Sequence, residues 1–392
     1  MIHKSLSCLV LVFAAIAMQA QGIYVIDGTI KNVPEGTFVQ LFRNIGDILK
    51  AVDGDTITDN RFRFSGETTG NGVEPMTLFA MKGDTVSMIL DVYVRPGSHI
   101  NISGDGMLAY TWNVESDIPE QQTRQKIVMA ARKWWDRIQL IDIHVDALRS
   151  MMRSGTLADK DKAAVKAELD SLDKEKCMAV DSVIMTETAV MDGMDVDDAW
   201  MEELNGNAIF AKSYDNEKGM NAVRELYDRL PDKWKNTMTG SEIGITVYPP
   251  KEIAKGETAA DGDLFDIDGG VHHLADFKGK YILLDFWSIG CGPCLQAIPE
   301  MKEVAEAYKD SLVIVSLSLD TKEIWKQESP KHGMTWYNLN DLKGRSGIAA
   351  KYGVWGIPHY VLVSPQGTMT TKWSGYSKGN LKENVKKHLG GR

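Results

Sequence analysis

Tyr281-Ile282-Leu283-Leu284-Asp285-Phe286-Trp287-Ser288-Ile289-Gly290-Cys291-Gly292-Pro293-Cys294 is the stretch that decides how the C-terminal third of this chain is read. Its first six residues form an apolar run, broken only by Asp285, of the length and β-rich composition of a strand buried on both faces. A close cysteine pair follows. Such a pair has two readings. A structural zinc site wants four ligands, so a second close pair of Cys or His is needed, and none follows. His272-His273 stands well upstream in an expected loop. The other reading is a dithiol–disulfide couple. A pair that follows a buried strand and opens a helix sits at the positive end of the helix dipole, which favours a thiolate by roughly 0.3–2 kcal/mol. The thiolate is the nucleophile, so Cys291 is the activated thiol. Cys294, one turn on, is placed to attack the mixed disulfide. Pro293 is tolerated in a first turn, where its missing N–H costs nothing.

Outward from this stretch, residues 255–392 read as β-α-β-α-β-β-α. Pro299 to Lys309 has helical periodicity, with Met301, Val304, Ala305 and Tyr308 on one face. Leu312 to Leu317 is a second buried strand. His359 to Val363 and Met369 to Trp373 flank the turn Ser364-Pro365-Gln366-Gly367, and Leu381 to Leu389 closes the region as a helix. Apolar strands separated by helices predict a sheet covered on both faces.

Residues 22–112 are β-like. Tyr24 to Ile26, Phe38 to Phe42, Arg61 to Phe64 and Val86 to Val94 are expected strands, punctuated by turns at Pro34-Glu35-Gly36, Asp53-Gly54-Asp55 and Arg95-Pro96-Gly97. A small antiparallel sheet or sandwich is expected, with a binding or positioning role and no titratable cluster. Residues 118–240 turn helical: Ile127, Ala131, Trp134, Trp135, Ile138, Ile141 and Val145 recur at helical spacing, Lys160 to Met185 forms a second run, and Asp197 or Asp198 caps a third. The many methionines read as adaptable packing rather than a copper site. Trp134 and Trp135 read as core or domain-interface residues, and Cys177 as a free thiol.

The chain has 392 residues, which suggests several domains. Its net charge of −10 argues against a nucleic-acid partner, which needs a basic surface. Residues 1–20 read as a secretory signal: His3 and Lys4 precede an apolar run from Leu9 to Ala17, too short to span a bilayer, with a small residue before Gln21. The protein is therefore expected in the periplasm or cell envelope. A lipid anchor at Cys8 fits poorly, because almost no apolar run precedes it. Of the four cysteines, removal of the signal leaves three: a close pair and Cys177. A staple closing so short a loop stabilises little, which favours a chemical role for the pair.

Several separated motifs then appear in a familiar order: Leu274-Ala275-Asp276-Phe277-Lys278-Gly279-Lys280, Leu284-Asp285-Phe286-Trp287, Cys291-Gly292-Pro293-Cys294, Pro299, and Tyr352-Gly353-Val354-Trp355-Gly356-Ile357-Pro358. Residues 255–392 resemble the TlpA-like branch of the thioredoxin superfamily, and residues 22–112 resemble the β-rich domain that precedes it in some Gram-negative envelope proteins. The resemblance implies an α/β thioredoxin-like C-terminal domain after a β-rich domain and a helical middle region. It implies that Pro358 is a cis-proline facing the pair, with the Ile357 backbone pairing to substrate. It makes Asp285 the buried acid that accepts the Cys294 proton, and Trp287 the aromatic under the site; a purely structural Asp and a plain core Trp are the competing readings. Many relatives carry Trp before the first cysteine. Gly290 stands there instead and leaves the substrate surface more open. Many also carry Glu where Ala297 stands, which leaves Asp285 as the candidate acid.

The catalytic candidates are thus Cys291, Cys294, Asp285 and Pro358, and the substrate-binding candidates Gly290, Trp287 and Ile357, with no metal or cofactor expected. The expected function is an exported thiol–disulfide oxidoreductase, a reductase of protein disulfides supplied by a membrane electron donor. The Gly-Pro dipeptide resembles thioredoxin, at about −270 mV, more than the oxidant DsbA, at about −120 mV. The alternative is an envelope ligand- or protein-binding protein with an accessory thioredoxin domain. A peroxidase fits less well, since its reactive cysteine normally lacks a C-x-x-C partner.

Overall fold

A computed structural model describes residues 22–45, 48–155 and 158–389. The signal expected at residues 1–20, with Cys8 inside it, and Gln21 lie outside the described residues. The chain divides into two compact units, one running to Asn44 and from Leu49 to Leu230, the other made of Ile45–Ile48 and the residues from Pro231.

The first unit opens with strands β1 (Ile23–Lys31), β2 (Phe38–Ile45), β3 (Ile48–Thr56), β4 (Arg61–Glu67), β5 (Glu74–Lys82), β6 (Thr85–Val86), β7 (Leu90–Val94), β8 (His99–Asp105) and β9 (Asn113–Glu115). They make two sheets, β4-β1-β8-β9 and β3-β2-β5-β6, with β7 also paired to β5. One core, including Ile26, Leu41, Phe64, Leu78, Val92, Ile100 and Trp112, draws residues from both sheets, so the arrangement is a sandwich. It is not wholly antiparallel, because β1 and β8 run parallel.

Two local expectations are corrected here. Asp53-Gly54-Asp55 is no turn but part of β3. A Cβ on Gly54 would lie 2.4 Å from the Phe38 ring, so this glycine makes room for cross-strand packing. Val86 to Val94 is not one strand: β6 and β7 are interrupted at Ser87, whose Oγ accepts the Ala80 N–H at 2.9 Å.

Helices α1 (Pro119–Ala130), α2 (Arg132–Arg153), α3 (Asp159–Met191), α4 (Asp198–Ser213) and α5 (Glu217–Asp228) complete this unit. The helical pattern from Ile127 to Val145 spans a break at Ala131. Asp197 caps α4, accepting the Trp200 N–H at 2.8 Å. Trp135 is buried and donates to Glu187 at 2.6 Å, while Trp134 is half-buried. The buried Arg124 ties α1 to β7 and α4, with Asp91 at 3.7 Å and Glu203 at 3.3 Å. Cys177 is a half-buried free thiol.

The second unit begins with α6 (Asp232–Lys235) and α7 (Met238–Val247) and the small hairpin β10 (Leu264–Phe265) and β11 (Val271–His272). Then follow β12 (Tyr281–Trp287), α8 (Gly292–Ala307), β13 (Leu312–Ser318), α9 (Lys322–Glu328), β14 (Tyr337–Leu339), α10 (Ile348–Lys351), β15 (His359–Val363), β16 (Met369–Ser374) and α11 (Asn380–Leu389). Its five-stranded sheet has the order β14-β13-β12-β15-β16, with β12 parallel to β13 and antiparallel to β15. Two apolar clusters cover its faces. Leu284, Phe286, Val315 and Val361 pack with Phe277, Ile348 and Tyr352 on one. Leu283, Ile314, Tyr360 and Leu362 pack with Ala297, Met301, Val304 and Leu381 on the other. The period-two alternation of a strand buried on both sides explains the near-continuous apolar text of β12. Helix α8 starts at Gly292 and carries Pro299 within it, at an exposed position, so the periodicity seen from Pro299 is the second half of one helix.

Candidate active site

β12 is the central strand, and its C-terminal end delivers the chain to the pair through Ser288, Ile289 and Gly290. In open α/β sheets this end of the strands is where sites form. A buried carboxylate holds the loop. Asp320 accepts the Ser288 hydroxyl at 2.8 Å, the Ile289 N–H at 3.0 Å and the Ser318 hydroxyl at 2.7 Å. Asp320 was missed in the sequence, although the alternation Ser316-Leu317-Ser318-Leu319-Asp320 at the end of an apolar strand is a signal of polar groups turned inward.

Cys291 is the N-cap of α8, and its Sγ accepts the backbone N–H of Cys294 at 3.2 Å. The two sulfurs form a disulfide, with the Cα atoms 5.2 Å apart. Cys291 is half-buried, whereas Cys294 is 3% exposed. Gly290, Gly292 and Pro293 are exposed, so the lip around Cys291 carries no large side chain. Below the pair, Cys294 packs in one cluster with Trp287, Ile289 and Trp325, bordered by Cys291, Ile267, Met334 and Ile357. Trp287 is 1% exposed, so it supports the pair from beneath and offers no surface for a substrate to touch. The Ile357–Pro358 bond is cis. Pro358 is buried and Ile357 half-buried against the same cluster.

Asp285 sits on β12 between Leu283 and Trp287, on the face covered by α8. It is 3% exposed. Burial pushes its carboxyl up to about 7, against the opposing effect of a hydrogen bond from the Ser316 hydroxyl at 2.7 Å. Ser316 in turn accepts the Trp336 indole N–H at 2.8 Å. Both residues escaped sequence reading. Ala297 is fully buried against Leu283 and Met301, so an acid there would meet packed side chains. The buried acid of α8 is Glu300, which turns away to α11. There it accepts the Gly379 N–H at 2.8 Å, the Lys382 N–H at 2.9 Å and the Tyr376 hydroxyl at 3.0 Å. Burial works against its ionisation, but those donors outweigh it and hold the carboxyl below its usual range.

His272 pairs with Asp266 at 2.9 Å rather than with the cysteines, and among the described residues no three His, Cys, Asp or Glu gather as a metal-binding group. A cavity of about 360 Å³ lies beside this region, lined by His272, Trp336 and Tyr337 among others. It shares Ile267 and Met334 with the border of the cysteine cluster.

Residues 279–369 match a family model described as thioredoxin-like. The chain is 28% identical over 154 residues to the thiol–disulfide oxidoreductase ResA of Geobacillus thermodenitrificans, covering 38% of this chain and 86% of that one. It is 30% identical over 128 residues to the thioredoxin-like protein YneN of Bacillus subtilis, covering 31% and 74%. ResA of Bacillus cereus is 30% identical over 152 residues, covering 37% and 87%. Among solved structures, the thioredoxin domain of a thiol–disulfide oxidoreductase from Bacteroides vulgatus is 30% identical, covering 35% of this chain and 99% of that one with a TM-score of 0.33.

Proposed function

We propose, from the premise that this chain belongs to the thioredoxin-like thiol–disulfide oxidoreductases, that its Cys291–Cys294 pair reduces disulfides of exported proteins in the periplasm or cell envelope. The observation that carries the reading is the asymmetry of the pair. Cys291 is reachable, caps a helix and accepts an N–H at its sulfur, while Cys294 is buried behind it. A sulfur that accepts a hydrogen bond at a helix N-terminus is stabilised as thiolate.

Reduced Cys291 attacks one sulfur of the substrate disulfide and expels the other as a thiol, leaving a mixed disulfide. Cys294 then passes its proton to Asp285, and its thiolate attacks Cys291 Sγ. The Cys291–Cys294 bond forms, the bond to substrate breaks, and the second substrate sulfur leaves as a thiolate that takes a proton from water. Two electrons have passed to the substrate, and a dithiol donor at the membrane restores the pair. The open lip at Gly290 admits a protein chain, and the Ile357 backbone ahead of Pro358 pairs with it. Trp287 serves by packing under Cys294. The apolar run near the N-terminus supports export, and among the described residues no helix is long and apolar enough to cross a membrane.

The test is catalysed reduction of insulin disulfides with a dithiol as electron source. Turnover that vanishes in Cys291→Ser is expected. Wild-type protein that does not accelerate insulin reduction, yet consumes no peroxide either, would favour a binding role instead.

A further inference from the structure

Ser316 carries one hydroxyl hydrogen, and its neighbours decide where it goes. Trp336 Nε1 lies 2.8 Å from Ser316 Oγ, and Ser316 Oγ lies 2.7 Å from Asp285 Oδ2. An indole nitrogen can only donate, so it occupies a lone pair of the hydroxyl. The hydroxyl hydrogen is then left for Asp285 Oδ2. Among the described residues, Ser316 is the one hydrogen-bond donor to that carboxyl.

We propose that Ser316 and Trp336 form a positioning pair for Asp285, holding Oδ2 as the hydrogen-bonded oxygen and leaving Oδ1 to carry the proton exchanged with Cys294. The proposal deepens the general-base reading above and rests on it. With Cys291 and Cys294 joined as a disulfide, the remaining surroundings of Asp285 supply no charge that shifts it. β15 presents Tyr360 opposite it, a buried phenol kept neutral by burial. α8 presents Cys294, which packs on Trp287 along the same strand face, and Glu300, whose carboxylate is engaged by α11. β13 presents Ser316 itself. Burial and the Ser316 hydrogen bond are therefore the two influences on the carboxyl, and they oppose one another. A hydrogen bond to the ionised form favours it, and a donor that is itself polarised by a second donor does so more strongly. The pair thereby sets the pH at which Asp285 becomes able to take the Cys294 proton. The step is balanced: the proton moves from Cys294 to Asp285 Oδ1, the thiolate forms a bond to Cys291 Sγ, and the bond from Cys291 to the substrate sulfur breaks, its electron pair leaving with that sulfur as a thiolate that takes a proton from water.

The experiment follows the Asp285 carboxyl carbon by NMR in the full reduced chain, from mildly acid to mildly alkaline pH. It is paired with stopped-flow oxidation by glutathione disulfide. Ser316→Ala is expected to move both midpoints up by about one unit, the value of one lost hydrogen bond to a charged group. Trp336→Phe is expected to move them the same way by less, and Ser316→Thr to bring them back. Should Ser316→Ala not fold, Trp336→Phe decides. Asp285→Asn separates the two ideas. If it abolishes the pH step while Ser316→Ala and Trp336→Phe leave the midpoints unmoved, the positioning pair is overturned and the base survives. If Asp285→Asn keeps the wild-type step, the base is lost and the pair with it.

Discussion

The backbone N–H of Cys294 donates to Cys291 Sγ across 3.2 Å, and the two side chains differ in access, Cys291 half-buried and Cys294 3% exposed. On the proposed mechanism this difference makes Cys291 the attacking thiol and Cys294 the resolving one. Cys294→Ala should accumulate mixed disulfides with substrates, because resolution is lost, while Cys291→Ser should trap few. Non-reducing electrophoresis with mass spectrometry reads this directly. Equal trapping by both variants would reverse or dissolve the assignment.

Asp285 makes a prediction for stability. Its folded carboxyl titrates near 7 against an ordinary value of 3.8, so the folded state binds more protons than the unfolded one between those values. Stability from this group is therefore lost as pH rises from about 4 to about 7, by at most about 4 kcal/mol. Asp285→Asn should lack that decline and be equally or more stable at neutral pH, while resolving mixed disulfides more slowly. Urea midpoints measured across this window check the first claim, and an Asn variant that tracks the wild type throughout refutes it.

Asp320 anchors the loop before Cys291 through Ser288, Ile289 and Ser318. Asp320→Ala leaves buried donors without an acceptor and should cost about 2–5 kcal/mol. Insulin reduction should fall with it, because the loop sets the position of Cys291. Asp320→Asn keeps one acceptor oxygen and should recover part of both. Unchanged unfolding and turnover in the Ala variant would show that other contacts hold the loop.

Glu300 ties α8 to α11. Glu300→Ala removes the acceptor for the Lys382 N–H in the first turn of α11 and for the Gly379 N–H just before it, and should cost about 1–3 kcal/mol. Its carboxyl is held below the ordinary 4.5, so the stability it adds is present above that value and is lost as pH falls through the lower folded value. Denaturant titrations in mild acid should show the wild type converging on the variant. Parallel curves would deny the ionised cap.

Export predicts that protein recovered from the envelope begins near Gln21. Terminal sequencing settles it, and Met1 on the envelope-associated protein would contradict cleavage.

Much of the second unit was legible because its signals are local. The apolar run of β12, the helix opened by Cys291-Gly292-Pro293-Cys294 and the strands on either side of the Ser364 to Gly367 turn reflect propensity and periodicity within a few residues. Asp197 was legible as a cap for the same reason. The first unit was read less well where packing overruled local preference. Gly54 looked like a turn residue, yet it gives up its side chain to the Phe38 ring. Ser87 broke an apparent strand by offering its hydroxyl to the Ala80 N–H.

By itself the sequence determined the buried strand, the close cysteine pair at the head of a helix, and the presence of one acid in an apolar strand. Those properties follow from hydrophobic period and from chemistry that needs two cysteines one turn apart. The tertiary structure decided what surrounds that acid and that loop. Ser316 meets Asp285 because β13 pairs in parallel with β12, Trp336 reaches Ser316 from beyond the sheet strand, and Asp320 closes on Ser288 and Ile289 from the end of β13. These contacts join residues distant in the chain, and a buried hydrogen bond leaves no periodic trace in sequence: only strand register and packing bring its donor and acceptor within reach.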